Sequence, residues 1–348
     1  MKKLMYTLAM GVLMAFMGGQ TFAQTADVQI IHNSPDPSAA TVDIYLNGGM
    51  TPAVDDFSFR DATDFLALPA GSSIDIGIAP GTSTGPADII ATIPFTLTPN
   101  ETYVLIASGV LNPAAFAANP GGISTAFSLE AFTPAQQTGT APNVDLLVYH
   151  GSTDAPEVDV VANGGMMPLI DNAEYKEYVG YASVPAAQYV LDVTPSNDNS
   201  TIVASYFVDL SGLSGGSAVV FASGFFDPTQ NGNGAAFGLF AALADGTVLE
   251  LQAVGNARAQ VIHNAADPNA ASVDVYINWI KDSLKVDDFA FRTATGFVDL
   301  PAGVPLSIAV AGPNSTSSAD AIATFPATVM DGETYAIVAN GVLDPMMF

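Results

Sequence analysis

Short apolar runs alternate along this chain with clusters of Gly, Pro, Asn and Asp. The first series comprises runs at about 27–32, 41–46, 64–68, 72–79, 88–97, 101–110 and 124–132. No segment carries the long apolar stripe of period 3.6 that an amphipathic helix needs. Seven short strands in about 100 residues are typical of a two-sheet sandwich. The pattern therefore predicts an all-β, antiparallel fold of immunoglobulin-like or fibronectin-like type.

The same series occurs three times. In each copy a histidine is followed by an aspartate and then by a Val-Asp strand, over residues 31–45, 149–161 and 262–276. The first and third copies agree again at 54–60 and 286–292. Units of this size fold as separate domains. We predict three tandem sandwiches, called repeats 1, 2 and 3, at 24–140, 141–256 and 257–348.

The third copy stops before the last apolar run of the other two. Either the sequence is a fragment, or the third sandwich lacks its last strand and leaves a sheet edge unpaired. An open edge of this kind invites pairing with another chain.

Residues 1–23 have the organisation of an export signal. Lys2 and Lys3 precede an apolar run at 4–17, and small residues lead to Ala23. The run is short for a membrane span, which needs about 20 residues. We predict cleavage near Ala23 and a bacterial protein that is extracellular or on the cell surface, with no membrane span in the mature chain.

Charge and composition exclude several functions. The 348 residues include 8 Lys and Arg against 34 Asp and Glu, a formal net charge of −26. Binding to nucleic acid requires clustered basic side chains, so we expect no nucleic-acid partner. Cysteine is absent, which excludes disulfides and thiolate chemistry.

The repeated His-x-x-x-Asp, Val-Asp-Val-Tyr, Leu-Pro-Ala-Gly and Thr-Tyr elements resemble the bacterial family catalogued as domain of unknown function 4397. The resemblance covers three units and thus nearly all of the mature chain. The second copy departs at Ala187 and Ala218, where the first has Gly71 and Tyr103. The resemblance implies an exported or surface β-sandwich module, often in tandem, and brings no established activity and no catalytic residues.

The histidines and aspartates of the repeats form the first candidate site. Val28, Ile30 and His32 share one parity of their strand, which is the apolar one. Alternation favours a structural histidine at the rim of the core, bonded into the Asp-Pro turn. The alternative is a metal or proton-transfer site in each repeat, although one domain offers a single histidine. The set is His32, Asp36, Asp43, His150, Asp154, Asp159, His263, Asp267 and Asp274.

The paired aspartates Asp55-Asp56 and Asp287-Asp288 could serve acid–base chemistry or hold calcium. Adjacent strand residues point to opposite faces, however. We therefore expect solvated loops in which Arg60 and Arg292 offset the charge.

Repeat 3 carries the chain's one tryptophan in a turn that differs from that of repeat 1. Trp279 has Lys281 and Lys285 nearby. A loop tryptophan can stack on a sugar or anchor a protein partner, or it can fold back over the end of the sandwich. These three residues are the candidate ligand-binding site.

No nucleophile elbow, phosphate loop or His-Glu-x-x-His motif occurs in the sequence. We expect a protein that is not an enzyme, needs no cofactor, and acts in surface attachment or in binding a surface glycan or protein partner. The alternative is a carbohydrate- or peptide-binding module of a larger surface system. A metal-dependent hydrolase built on the histidines is the third hypothesis.

Overall fold

The computed structural model describes residues 24–281, 283–343 and 346. The predicted export signal, 1–23, lies outside these residues. Strands dominate the described part of the chain, and no helix there is long and apolar enough to cross a membrane. The helices in it are single 3-10 turns at Pro37–Ala39, Pro86–Asp88, Pro113–Ala115, Pro228–Gln230, Pro268–Ala270 and Ser318–Asp320.

Repeat 1 is a sandwich of two four-stranded sheets. Its strands are β1 (Thr25–Asn33), β2 (Thr41–Leu46), β3 (Val54–Ser58), β4 (Leu66–Pro69), β5 (Ser73–Pro80), β6 (Ala91–Thr96), β7 (Thr102–Ser108) and β8 (Ser128–Phe132). The sheets have the orders β4-β1-β7-β8 and β3-β2-β5-β6. Alternate side chains of each strand face the other sheet, and Val28, Ile44, Ile76 and Leu105 lie in the core between them.

Repeat 2 has two five-stranded sheets. Its strands are β9 (Asn143–His150), β10 (Val158–Ala162), β11 (Ile170–Ala173), β12 (Tyr178–Pro185), β13 (Gln188–Pro195), β14 (Ala204–Asp209), β15 (Ser217–Ser223), β16 (Gly238–Leu243), β17 (Val248–Glu250) and β18 (Gln252–Ala253). The sheet orders are β12-β9-β15-β16-β17 and β11-β10-β13-β14-β18. The first eight strands repeat the order of repeat 1.

Repeat 3 has the same plan over the residues that the structure describes. Its strands are β19 (Gly255–Ala265), β20 (Ser272–Asn278), β21 (Ser283–Ala290), β22 (Val298–Ala302), β23 (Leu306–Ala311), β24 (Ala321–Ala327) and β25 (Thr334–Gly341). The sheet orders are β22-β19-β25 and β21-β20-β23-β24. Among the described residues, no strand lies beside β25 on its far side.

The prediction of three tandem all-β sandwiches is confirmed, with one refinement of strand direction. In each repeat the first strand pairs in parallel with a late strand: β1 with β7, β9 with β15 and β19 with β25. The other strand pairs are antiparallel. Neighbours far apart in the sequence need no hairpin, so they can run in the same direction.

β3 of repeat 1 has no counterpart among the apolar runs of the sequence. Asp55 and Asp56 lie in β3, not in a solvated loop, and that prediction was wrong. β3 has an irregular register against β2, and Asp56 has a φ of 52°. Its N–H donates to Asp43 Oδ1 at 2.9 Å. A bulge of this kind breaks the apolar alternation by which strands are recognised.

Tyrosine hydroxyls close the turn before β7 and β25. The hydroxyl of Tyr103 accepts from the N–H of Thr98 at 3.1 Å. In repeat 3, Tyr335 accepts from Met330 N–H at 2.9 Å.

Candidate functional site

The three histidines occupy equivalent buried positions at the end of the first strand of each repeat. His32 is 1% exposed, and its Nε2 lies 2.7 Å from the carbonyl oxygen of Ala39. His263 has the same relation to Ala270, at 2.7 Å. His150 bonds the carbonyl oxygen of Pro156 at 3.0 Å. Each ring therefore ties its strand to the turn that follows it.

The second ring nitrogen is also engaged. Nδ1 of His32 accepts from the N–H of Ser34 at 3.4 Å, and Nδ1 of His150 accepts from Ser152 at 3.4 Å. A nitrogen that faces a carbonyl must carry the proton, which assigns the neutral Nε2–H tautomer. Burial lowers the pKa of His32 and of His150, and the backbone carbonyl bonds offset this only in part.

The first aspartate of each set clamps two loops together. Asp36 Oδ1 accepts from the N–H of Ser38 at 2.9 Å, and Oδ2 accepts from the N–H of Leu111 at 2.8 Å. Asp267 binds the N–H of Asn269 and of Leu343 in the same way. In repeat 2, Asp154 keeps the matching long-range bond, from Phe226 N–H, but its other oxygen accepts from Asp227 N–H and from the amide of Asn231.

The second aspartate lies in the other sheet. Asp43 accepts from the N–H of Asp56, and its Oδ2 accepts from the hydroxyl of Ser83 at 2.5 Å. Asp274 makes the matching pair of bonds with Asp288 and Ser315.

Asp159 accepts from the N–H of Asn172 at 2.7 Å. Within the described ranges, the structure brings no three His, Asp or Glu side chains together in a group that could hold a metal ion.

Trp279 and Lys281 lie at the junction of repeats 2 and 3. Trp279 is half-buried against the core of repeat 3, a core that also includes Val190 of repeat 2. Lys281 Nζ forms an ion pair with the buried Asp192 of repeat 2, at 2.5 Å. Lys285 does not join this group. It pairs with Asp274 at 3.2 Å and with Asp287 at 2.7 Å.

A cleft of about 400 Å³ opens at this junction. Its walls combine the tryptophan with polar side chains of both repeats, and we call it the junction cleft. The residues that define it are Val190, Ser205, Asn256, Trp279, Lys281 and Asp299.

Repeats 1 and 2 are joined face to face by their outer sheet surfaces. Ile31 and Ile106 point away from the core of repeat 1 and are fully buried. They pack in one apolar cluster with Leu147, Tyr149 and Phe221 of repeat 2. The first sheet of repeat 1 and the first sheet of repeat 2 are therefore covered on both faces.

Reciprocal polar contacts frame this cluster. Arg60 of repeat 1 donates to the carbonyl oxygen of Ala236 in repeat 2 at 2.6 Å. Lys176, which occupies the same position in repeat 2, donates to the carbonyl oxygen of Ala126 in repeat 1 at 2.9 Å. Such an exchange is the pattern of a two-fold interface, in which each partner presents the same patch. Arg60 also lies over the ring of Phe240, 4.1 Å from its centroid.

Repeat 3 carries the counterpart of this patch. None of the described residues of the other repeats covers it. Val338 and Ile262 face each other across β25 and β19, in the register of Ile106 and Ile31. Val338 is 51% exposed and Phe297 is 49% exposed. We call this surface the outer face of repeat 3 and define it by Gln260, Ile262, Arg292, Phe297 and Val338.

Neither interface was predicted from the sequence. Arg60 was expected in a solvated loop, whereas it lies between repeats 1 and 2. A signal was present, because Val104, Leu105 and Ile106 are apolar at both parities of their strand. Such a run indicates a strand that is buried on both faces.

Comparison with known proteins identifies a matching family. A family model described as "Domain of unknown function (DUF4397)" matches residues 26–120, 144–230 and 257–348. No curated protein matches the chain.

Among solved structures, the Bacillus anthracis TIE protein aligns over 91% of this chain and 51% of its own, with 10% identity and a TM-score of 0.18. This chain thus spans about half the length of that protein. A structure of alpha-glucan binding by a streptococcal virulence factor aligns over 56% of this chain and 92% of its own, with 11% identity and a TM-score of 0.19.

The major pilin subunit of Bacillus cereus aligns over 91% of this chain and 99% of its own, with 8% identity and a TM-score of 0.17. Similarity this low is no guide to a partner or an activity.

Proposed function

We propose a non-catalytic, partner-binding function at the bacterial cell surface for this chain, which belongs to the DUF4397 family. One observation carries the proposal: the patch that joins repeats 1 and 2 is present again on repeat 3, where none of the described residues of the other repeats covers it. The buried His/Asp set agrees with it, because those side chains are committed to bonds that hold turns and strands.

The outer face of repeat 3 has the chemistry of an interface centre. Ile262, Phe297 and Val338 are neighbouring apolar side chains, and clustered apolar exposure marks interaction sites, whereas scattered single residues do not. Arg292 stands at its rim, where repeats 1 and 2 have Arg60 and Lys176. Arginine and aromatic side chains are enriched in protein interfaces.

The partner that fits this face is a second copy of the chain. Repeats 1 and 2 already show how two such faces pack, about an approximate two-fold axis. Two copies of repeat 3 would meet in the same way, with Val338 and Ile262 of each copy against the other. Association of this kind would join surface molecules in pairs.

Sedimentation velocity on residues 24–348, over about 1 to 100 μM, tests this proposal. We expect a dimer that grows with concentration, and we expect Val338→Glu to give a monomer because a buried, unpaired charge is costly. Ile322→Glu is the matched control, since Ile322 is 55% exposed on the other sheet of repeat 3.

A folded wild-type chain that stays monomeric would contradict the proposal. Equal dimerisation of the two variants would contradict it as well. Circular dichroism shows whether each variant is folded.

The junction cleft supports a second candidate, the binding of a glycan. An aromatic ring beside Asp, Asn and Ser side chains can stack on a sugar and bond its hydroxyls. We expect a glycan array to show binding that Trp279→Ala removes and that Phe297→Ala, outside the cleft, leaves unchanged. Binding that survives Trp279→Ala would exclude the cleft.

A further inference from the structure

Repeat 2 encloses an apolar cavity of about 150 Å³ between its two sheets. Both sheets contribute to its walls, with Leu146, Val193, Phe237 and Leu239 among them. The cavity at the same place in repeat 1 measures about 40 Å³. The two sandwiches share their strand order, so the difference lies in the side chains.

The main cause is a missing phenylalanine. In repeat 1, Phe57 lies in the core beside His32, with ring centroids 5.9 Å apart. In repeat 3, Phe289 has the same relation to His263, at 5.8 Å. Repeat 2 has Ala173 at this position, and its methyl group leaves the space of the ring unfilled.

Smaller aliphatic side chains enlarge the same space. Val148 stands where repeat 1 has Ile30, and Val220 stands where it has Leu105. Each replacement removes one methylene group. In cores of this kind, removed volume persists as cavity because the surrounding side chains relax only in part.

One histidine, His150, is among the wall residues. It offers no free hydrogen-bonding group to a ligand. His150 is engaged at both ring nitrogens, by the carbonyl of Pro156 and the N–H of Ser152. A water molecule needs two to four polar partners, whereas an apolar cavity of about 150 Å³ stays dry and accepts benzene. The chemistry of this cavity is therefore that of a hydrocarbon.

The cavity has an opening at one end of the sandwich. Val203 and Phe226 line it and are 46% and 51% exposed to solvent. The ring of Phe226 packs edge-on against Phe237, at 6.4 Å between centroids.

We propose that the space between the sheets of repeat 2 is a binding site for a small, uncharged, apolar ligand. Its size suits a single aromatic ring or the end of a short alkyl chain. This site is independent of the outer face of repeat 3 and of the junction cleft.

Isothermal titration with benzene tests the site in residues 24–348. We expect saturable binding of one benzene per chain, together with a rise in the thermal midpoint, because a ligand that binds only the folded state stabilises it. Ala173→Phe restores the side chain that repeats 1 and 3 carry. This variant should lose benzene binding and melt at a higher temperature without ligand.

Two further variants keep the test decisive. Val148→Ile with Val220→Leu shrinks the cavity without adding a ring, and it should weaken benzene binding even if Ala173→Phe fails to fold. Phe57→Ala opens the matching space in repeat 1 and should add a second benzene site. Benzene binding that is absent from the folded wild type, or unchanged in these variants, would overturn the proposal.

Discussion

At the scale of single residues, the buried histidines connect strands to the following turns by hydrogen bonds. The ring nitrogens of His32 connect the carbonyl of Ala39 to the N–H of Ser34, so one side chain closes the turn between β1 and β2. The inward position of His32 followed from strand alternation. Its hydrogen-bond partner, the carbonyl group of Ala39, could not be predicted, because every residue has a backbone carbonyl.

Two of these histidines make stability depend on pH. Burial lowers the pKa of His32 and His150 below the ordinary value of 6.5, so the unfolded chain binds more protons than the folded chain as pH falls past that value. The free energy of unfolding should therefore decrease on acidification from neutral pH toward about pH 5. Urea unfolding across this range measures the slope.

The variants His32→Gln and His150→Gln remove the titrating groups. In each variant the free energy of unfolding should decrease less on acidification than in the wild type, whatever the stability of the variant at neutral pH. A free energy of unfolding that is constant or rises on acidification in the wild type would contradict this account.

At the scale of elements, the same strand carries different chemistry in different repeats. Asp192 on β13 is buried, whereas the equivalent positions hold Gly77 on β5 and Ala309 on β23. It pairs with Lys281, which follows β20 and which repeat 1 replaces by Met50. The ion pair between Lys281 and Asp192 is specific to the junction of repeats 2 and 3. Sequence reasoning singled out Lys281 but could not identify a carboxylate 89 residues away.

A double-mutant cycle measures this pair. Lys281→Met leaves Asp192 buried without its cation and should cost about 3–5 kcal/mol of unfolding free energy. Asp192→Ala should cost less, because the Lys281 side chain is 23% exposed and can reach water. The double variant should be more stable than the sum of the two losses predicts.

Urea unfolding of the wild type, the two single variants and the double variant gives the coupling free energy between Lys281 and Asp192. Strictly additive losses would mean that the two side chains do not interact.

At the scale of the whole molecule, repeats 1 and 2 share an apolar cluster, so we expect them to unfold as one cooperative body. Ile106 is fully buried between them, and Val338 is its exposed counterpart in repeat 3. We expect Ile106→Ala to cost about 2–5 kcal/mol. At protein concentrations where the chain is monomeric, Val338→Ala should cost well under 1 kcal/mol, as surface substitutions usually do. Calorimetry compares the two.

Hydrogen exchange shows whether the stability lost in repeat 1 is also lost in repeat 2. In Ile106→Ala, the amides of β9 and β15 in repeat 2 should exchange faster, although the substitution lies in repeat 1. Faster exchange confined to repeat 1 would mean that the two repeats unfold independently.

The sequence by itself determined the class of fold, the number of repeats and most strands, because these depend on local alternation and on turn residues that each copy restates. It also placed the histidines on the inner face. Only the tertiary structure decided which faces meet, which carboxylate Lys281 finds, and where Ala173 leaves a space. Those outcomes depend on contacts between residues far apart in the chain, where packing geometry, and not local pattern, sets the energy.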